Sequence, residues 1–428
     1  MAGAPLRVGL AGLGTVGGGT LSLLARHAGL IASRAGRPIR VVAVSARDRN
    51  RDRGIDLEGL TWHADPVSLA LDPEVDVVAE LIGGAEGPAL AVIESALDAG
   101  KSVVTANKAL LARHGARLGS LAAARGAALG FEASVAGGIP AIKALREGLA
   151  GNRIERVSGI LNGTCNYILS QMRETRRGFA EVLAEAQALG YAEADPTLDI
   201  DGHDTAHKLA LLAAVAFGIP ADIDAVHVEG IRHVSALDIE YAEELGYRIK
   251  LLGTAQRTAR GVEQRVHPTM VALSQPLAFV DGVDNAVEID GDAVGRILLQ
   301  GRGAGAGPTA SAVVADLIDI ARGRFTPAFA LEPEPGLKAV SIAEHAGGCY
   351  VRLMVLDEPG VIADMAAELR NERVSVEAMI QRRHQPGQPV PVVLTTHPSQ
   401  ETALMRALGR IGALGAVVEP PRMIRIDA

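Results

Sequence analysis

The sequence predicts an α/β protein in three parts: a doubly wound parallel-sheet domain, an α+β domain and a small C-terminal βαββαβ module. Three observations carry that expectation. Apolar, strand-like runs alternate with helical stretches over residues 1–133, which implies right-handed crossovers and a parallel sheet. The glycine-rich turn Gly12-Leu13-Gly14-Thr15-Val16-Gly17 directly follows the first of those runs. After residue 348 a shorter alternation reads strand, helix, strand, strand, helix, strand, the order of a ferredoxin-like unit.

Residues 6–13 (LRVGLAGL) form the first expected strand, and a helix runs from Val16 to Ala32 after the glycine turn. Further strands are expected at Arg40–Ser45, 75–81 and Ser102–Thr105, with a helix at Pro88–Ala99. From 134 to 308 the texture changes. Helices are expected at Ile139–Ala150, Phe179–Leu189 and Asp204–Phe217, and strands at Arg153–Ile160, Gln264–Leu273 and Asn285–Asp290. This middle part reads as an α+β substrate domain that also offers a dimerisation surface. The run GRGAGAGPTASAVVADLIDIARG supplies a loop and a helix, and residues 309–325 are expected to pack back on the first domain. Residues 326–348 are rich in Pro, Gly and Glu and read as a linker. The C-terminal unit, 349–428, is expected to hold strands at Tyr350–Leu356, Val374–Gln381, Val390–His397 and Arg422–Ile426, with helices at Val361–Arg370 and Glu401–Ile411.

Composition narrows the function classes. A chain of 428 residues accommodates two or three domains. Aromatics are only 3%, so its cores must be built from Ala, Val, Leu and Ile. A net charge of −8 with no clustered basic face argues against nucleic acid as a partner. Two distant cysteines, Cys165 and Cys349, offer neither a disulfide framework nor zinc spacing. The N-terminus runs straight into a strand without signal-peptide architecture. No run approaches the ~20 apolar residues of a membrane span. A soluble cytoplasmic protein is expected.

The glycine turn reads as a dinucleotide site. Gly12 permits the tight turn, Gly14 lets the backbone approach a pyrophosphate, and Gly17 allows close helix–strand packing. The helix opening at Thr15 and Val16 then presents unpaired N–H groups to phosphate. The second strand is followed by Arg47 where an NAD-selective site usually carries an acid. Arg47 tips the reading toward a 2′-phosphate, and so toward NADP, with NAD or dual use left open.

Two lysines stand out. Lys108, after Thr105-Ala106-Asn107, lies beyond the carboxyl end of a strand, where open α/β sheets place their ligands. Lys208 opens the uncharged run Leu209–Pro220 and follows five acids in twelve residues: Glu193, Asp195, Asp199, Asp201 and Asp204. An ammonium at the root of a dry helix is costly unless those carboxylates hold it, and such a pairing can aim it at a substrate. The bland alternative for Asp204 and Lys208 is an i,i+4 surface pair. Asn162, Thr164, Cys165 and Asn166 form a polar island expected to order a substrate loop, with Cys165 structural.

The segments VVTANKALLA, GILNGTCNYIL, GYAEADPTLDIDGHDTAHK and GRGAGAGPTASAV resemble those of homoserine dehydrogenase, in the family's order, over residues 5–325. The C-terminal module resembles an ACT domain, a regulatory fold for small ligands, with Asp357-Glu358-Pro359-Gly360 at its first turn. No aspartate kinase portion precedes the first strand, so the monofunctional form with a C-terminal ACT domain is expected.

The resemblance implies NAD(P)-dependent interconversion of L-aspartate 4-semialdehyde and L-homoserine, in threonine, methionine and isoleucine biosynthesis. It places Lys208 on the proton donor, Lys108 on the second active-site lysine, and Glu193, Asp199 and Asp204 around the substrate. It also places the Gly190 backbone near the substrate and Gly305 near the nicotinamide. A monovalent cation, sodium by family habit, would sit at Glu132 with backbone oxygens of Val135, Gly137 and Ile139. Without the resemblance that loop reads as a domain hinge. Threonine is the first effector expected at the ACT unit, and a homodimer or homotetramer the expected assembly. The competing readings are another NAD(P)-dependent aldehyde or amino-acid reductase on the same plan, and a non-catalytic amino-acid sensor.

Overall fold

The computed structural model describes residues 3–329, 337–382 and 387–427. Six parallel strands form the first sheet, in the spatial order Thr61–His63, Ile39–Ser45, Leu6–Ala11, Val77–Glu80, Ser102–Thr105 and Leu129–Gly130. This is the doubly wound order in which the chain starts at the centre and reverses direction once, leaving a crevice at the strand ends. The strands are nearly continuous apolar runs because helices cover both faces. Val77–Glu80 and Ser102–Thr105 are buried at every position.

The first helix is shorter than the sequence predicts. It spans Thr15–Arg26, and a second helix, Ala28–Ala35, follows after His27 leaves helical geometry at φ −112°, ψ 24°. Helix Ala306–Ala321, far away in sequence, packs against Thr15–Arg26. The contact is close: a Cβ on Gly19 would lie 2.6 Å from the Ala306 carbonyl oxygen. The expected helix at 139–150 forms over 141–148, as an α-helical turn, Ala141–Lys143, that widens into a π-helical turn, Ala144–Gly148, with Leu149 N–H donating to the Ala144 carbonyl. Pro140 cannot donate to an earlier carbonyl, and the Glu132 carboxylate accepts from the Ile142 and Lys143 N–H groups, fixing where the turn starts.

A second sheet of eleven strands has as its main path Gly295–Arg302, Asp284–Gly291, Ile154–Ile160, Tyr247–Thr258, Gly261–Ala272, Arg422–Ile426, Cys349–Leu356, Pro389–Thr396 and Val376–Ile380. The last four belong to the C-terminal βαββαβ unit, whose helices Val361–Asn371 and Glu401–Ile411 pack against each other. Its strand Arg422–Ile426 lies parallel to Gly261–Ala272, with Thr269 opposite Arg425. The sheet therefore runs unbroken from the middle of the chain into the C-terminal unit. Between them Ala339–Val340 adds a short parallel pairing to Val262–Glu263, so this stretch of the expected linker is tied down. Residues 330–336 of that linker lie outside the described residues.

Strand Tyr247–Thr258 has no counterpart among the sequence expectations. Lys250, 1% exposed, interrupts its apolar pattern. The lysine is tolerated because its ammonium donates to Asp281 at 2.9 Å and to Asn166 at 3.2 Å. Burial lowers its pKa to about 8, against the pull of Asp281. Helix His203–Phe217 crosses this sheet and also packs on helix Lys108–Arg125 of the first domain. That three-way contact brings the two lysines into one place.

Among the described residues no helix is long and apolar enough to cross a membrane.

Candidate active site

The glycine turn has the geometry of a phosphate cradle. Gly12 adopts φ 104°, and a Cβ there would lie 2.4 Å from the Leu81 carbonyl oxygen. A Cβ on Gly17 would lie 2.0 Å from the Gly12 oxygen, whereas one on Gly14 would meet nothing within 4 Å. Gly12 and Gly17 thus serve the fold, and Gly14 faces open space. The first hydrogen bond of the helix is Gly18 N–H to the Gly14 carbonyl, which leaves the N–H groups of Thr15, Val16 and Gly17 without a helical partner. These donors, at the positive end of the helix, suit a pyrophosphate. Arg47 is exposed just past the end of strand Ile39–Ser45.

A cleft of about 610 Å³ opens between this domain and the larger sheet. Val16, Lys108, Gly137, Gly190, Asp199, Asp204, Lys208 and Gly305 from the sequence reading line it. At its centre Lys208 Nζ lies 2.6 Å from Asp204 Oδ2, and Lys108 Nζ lies 3.1 Å from Asp204 Oδ1. The two ammonium groups share one carboxylate. Lys208 also donates to the Leu161 carbonyl at 2.6 Å, which leaves one of its three N–H bonds for a ligand. Burial alone would push the Asp204 carboxyl up. The two lysines, with hydrogen bonds from Lys208 and Asn162, outweigh that and hold it far below the carboxylate range.

Asn162 organises the acids and was not singled out as a site residue by sequence. Its Oδ1 accepts from the Cys165 N–H at 2.8 Å and caps helix Gly163–Thr175, an interaction worth about 1 kcal/mol. Its Nδ2 donates to Asp199 at 2.7 Å and to Asp204 at 2.9 Å. The signal was the polar island itself, whose Asn-Gly-Thr opens a helix. Cys165 is fully buried, donates to the Asp199 carbonyl at 3.1 Å, and has its thiol pKa raised by that burial. It is a packing residue.

Glu193 does not line the cleft. It lies exposed on the turn after Tyr191, where Gln187 Nε2 donates to the Glu193 and Ala194 carbonyls and fixes the backbone rather than the carboxylate.

Around the loop 132–139, both Glu132 oxygens accept backbone N–H groups at 3.0 and 2.8 Å. Burial and the neighbouring Asp316 raise the Glu132 carboxyl to about 7. Ala136 and Gly137 both adopt positive φ, 53° and 56°, curling the loop. Ile139 O accepts from Ala141 N–H. Among the described residues the Val135 and Gly137 carbonyls receive no backbone hydrogen bond. Hard carbonyl ligands suit an alkali cation. No cluster of three His, Cys, Asp or Glu side chains suited to a metal occurs among the described residues.

Comparison with known proteins decides the family. Residues 12–132 match the family model described as homoserine dehydrogenase, NAD binding domain, and residues 140–318 match the homoserine dehydrogenase model. Homoserine dehydrogenase of Neisseria gonorrhoeae is 47% identical over 433 residues, covering 99% of both chains. The chain belongs to the homoserine dehydrogenase family. A crystal structure of a homoserine dehydrogenase from Thiobacillus denitrificans superposes with a TM-score of 0.94 at 47% identity, covering 99% of this chain and 98% of that one. A hyperthermophilic archaeal homoserine dehydrogenase mutant, in complex with NADPH, matches at a TM-score of 0.64 and 26% identity, over 76% of this chain and 99% of that one. The activity is that of the family: an NAD(P)-dependent oxidoreductase that interconverts L-aspartate 4-semialdehyde and L-homoserine. The non-catalytic sensor reading is thereby set aside.

Proposed function

We propose that Lys208 is the proton donor to the carbonyl oxygen of aspartate semialdehyde. The single observation behind this reading is the Lys208–Asp204–Lys108 arrangement at the centre of the cleft. A reduced nicotinamide, bound on the glycine turn, supplies the hydride. As hydride reaches the aldehyde carbon, charge builds on its oxygen, and a positioned ammonium stabilises and then protonates it. Lys208 is held on two sides, by Asp204 and Leu161, so its remaining N–H is aimed. Lys108, more exposed, polarises the same oxygen or relays the proton through water. In the reverse direction Lys208 receives the hydroxyl proton. Asp199 takes the α-ammonium of the substrate by a charge-assisted hydrogen bond, whereas Glu193, exposed outside the cleft, is left out of the substrate's contacts. Gly190 and Gly305 let substrate and nicotinamide approach their backbones.

On the cofactor, Arg47 favours NADP by pairing with its 2′-phosphate. A monovalent cation, sodium first, would sit on the oxygens of Val135, Gly137 and Ile139 beside Glu132 and stiffen the loop between the two large parts of the chain. Residues 1–133 with 309–325 work as the cofactor domain, and 134–308 as the catalytic and dimerisation domain of a homodimer or homotetramer. Residues 349–428 work as an ACT-type regulatory domain responding to threonine. The βαββαβ order supports that last reading.

Initial rates with homoserine and each of NAD and NADP, with and without threonine, test the set. A higher kcat/KM with NAD than with NADP overturns the role of Arg47. An enzyme indifferent to millimolar threonine overturns the effector.

A further inference from the structure

We propose that Arg302 is the anchor for the α-carboxylate of the amino-acid substrate, working beside the Asn285 amide. The proposal rests on the reading that homoserine turns over in the cleft around Lys208.

The argument begins with charge. The substrate brings a carboxylate, an ammonium and a reacting carbon–oxygen group, and each needs its own partner. Three cationic side chains line the cleft: Lys108, Lys208 and Arg302. Both lysines are engaged by Asp204 at 3.1 and 2.6 Å. Among the described residues lining the cleft, Arg302 is the cation without an ion pair. Asp284 stands opposite it across the hairpin, yet forms no ion pair with it. A guanidinium presents a planar fork that matches a carboxylate bidentately, which an ammonium cannot do.

Arg302 is exposed at the mouth of the cleft, but the backbone that carries it is held in place. Arg302 ends strand Gly295–Arg302, and its carbonyl accepts from the Gly138 N–H at 3.1 Å. The next residue, Gly303, is pinned from two sides. A Cβ there would fall 2.1 Å from the Asn285 amide nitrogen, and a Cβ on Gly137 would fall 2.3 Å from the Gly303 oxygen. The backbone at Arg302 therefore has little room to swing.

Asn285 supplies the second, independent sign of a ligand. It lines the cleft and is 1% exposed, and its side-chain Oδ1 is buried with no hydrogen-bond partner among the described residues. A buried acceptor left without a donor costs about 1–3 kcal/mol, so such a group in a ligand cleft points to a polar ligand atom. With the α-carboxylate on Arg302, the α-ammonium goes to the Asn285 oxygen and to Asp199, which line the same cleft. The aldehyde is then left to the lysines. The class recognised is an α-amino acid with a short polar side chain, and a simple aldehyde or amine is discriminated against.

The test is steady-state kinetics of Arg302→Gln and Arg302→Lys. For Arg302→Gln the KM for homoserine rises at least about tenfold, the scale of a lost hydrogen bond to a charged group. The kcat stays within about twofold and the KM for NADP is unchanged. Arg302→Lys, which keeps the charge but loses the fork, falls between. Inhibition by 3-aminopropan-1-ol, which has the amine and alcohol but no carboxylate, is the same for parent and Arg302→Gln. Three results overturn the proposal: an unchanged KM for homoserine; a raised KM for NADP in its place, which would give Arg302 to the cofactor phosphates; or a lowered Tm with intact kinetics, which would give it to Asp284. A parent enzyme that fails to oxidise homoserine would strike the underlying reading instead, before any variant is made.

Discussion

At the cleft two ammonium groups, Lys108 and Lys208, share the Asp204 carboxylate. Where the C-terminal unit meets the middle strands, two carboxylates, Glu229 and Glu401, share the Arg425 guanidinium. Both clusters are drawn from segments far apart in sequence. They differ in completeness. Arg425, 3% exposed, donates to Glu229 at 3.0 and 2.8 Å and to Glu401 at 2.7 and 2.6 Å. Nearby, Asp238 caps helix Ala236–Glu244 and accepts from Tyr350 and Arg352 of the C-terminal unit. These bonds need nothing from outside. In the cleft Lys208 retains an N–H bond and, among the described residues, Arg302 has no ion pair and the Asn285 oxygen no hydrogen-bond partner. The difference separates a brace from a site. In these two clusters the completed ion pairs tie parts of the chain together, and the incomplete set lines a cleft open to a ligand.

The largest effect expected from breaking this contrast is on the brace. Arg425→Met strips the charge from between two carboxylates and should cost about 3–5 kcal/mol of stability, as when one partner of a buried pair is removed. Denaturant unfolding measures it, while kcat should hold. A loss under about 1 kcal/mol would mean that solvent, and not Arg425, balances those acids. Next comes the site. Lys208→Ala should lower kcat at least about 100-fold with little change in cofactor affinity, and it should cost less stability than the Arg425 change because Lys108 still faces Asp204. A near-normal kcat would remove Lys208 from the chemistry.

A smaller effect sharpens the same distinction at the glycine turn. Gly14→Ala adds a methyl into open space, so Tm should be unchanged while the KM for NADP rises about tenfold, read against the cost of a displaced phosphate contact. Gly17→Ala should instead destabilise the fold, because its methyl meets the Gly12 carbonyl. Equal behaviour of the two variants would contradict the division of roles.

The smallest effect concerns acid stability. Burial raises the Asp281 carboxyl, but hydrogen bonds and charge from Arg173 and Lys250 bring it down from 3.8 to about 2. A depressed native pKa means that the unfolded chain binds the proton more tightly. The stabilisation is thus present above about pH 4 and is lost as pH falls toward 2. Asp281→Asn should flatten the fall of Tm across that window; an unaltered slope would assign acid unfolding to other carboxylates.

The C-terminal unit also shows where a sequence-level picture of separable domains stops. Deleting residues from about 346 onward, the natural way to test threonine regulation if a linker joins two independent parts, would strip the partner from strand Gly261–Ala272. It would also leave Glu229 without Arg425. A clean test needs point substitutions on the module's own surface.

Some of this was readable before any coordinates. Gly12, Gly14 and Gly17 after an apolar strand announce their turn, because that backbone path admits no side chain at Gly12 or Gly17. Lys208 announces itself because a charge at the head of an uncharged helix demands a partner nearby. Strand Tyr247–Thr258 was hidden because Lys250 breaks its pattern, and the ion that excuses the lysine, Asp281, lies on a distant loop. Asn162 was legible only as part of a polar island, not by its bonds to Asp199 and Asp204, and Arg302 was not legible at all, because arginine is ordinary in polar loops and only its neighbours make it special.

What the sequence by itself determined is local: periodicity, glycine geometry, and the presence of charges that must be paired. Tertiary structure alone decided which charges meet. Helix His203–Phe217 packs on helix Lys108–Arg125, and the strand carrying Arg425 joins the edge of Gly261–Ala272. The physical reason is range. Backbone sterics and capping act over a few residues, whereas an ion pair depends on a distance that only the packed chain sets.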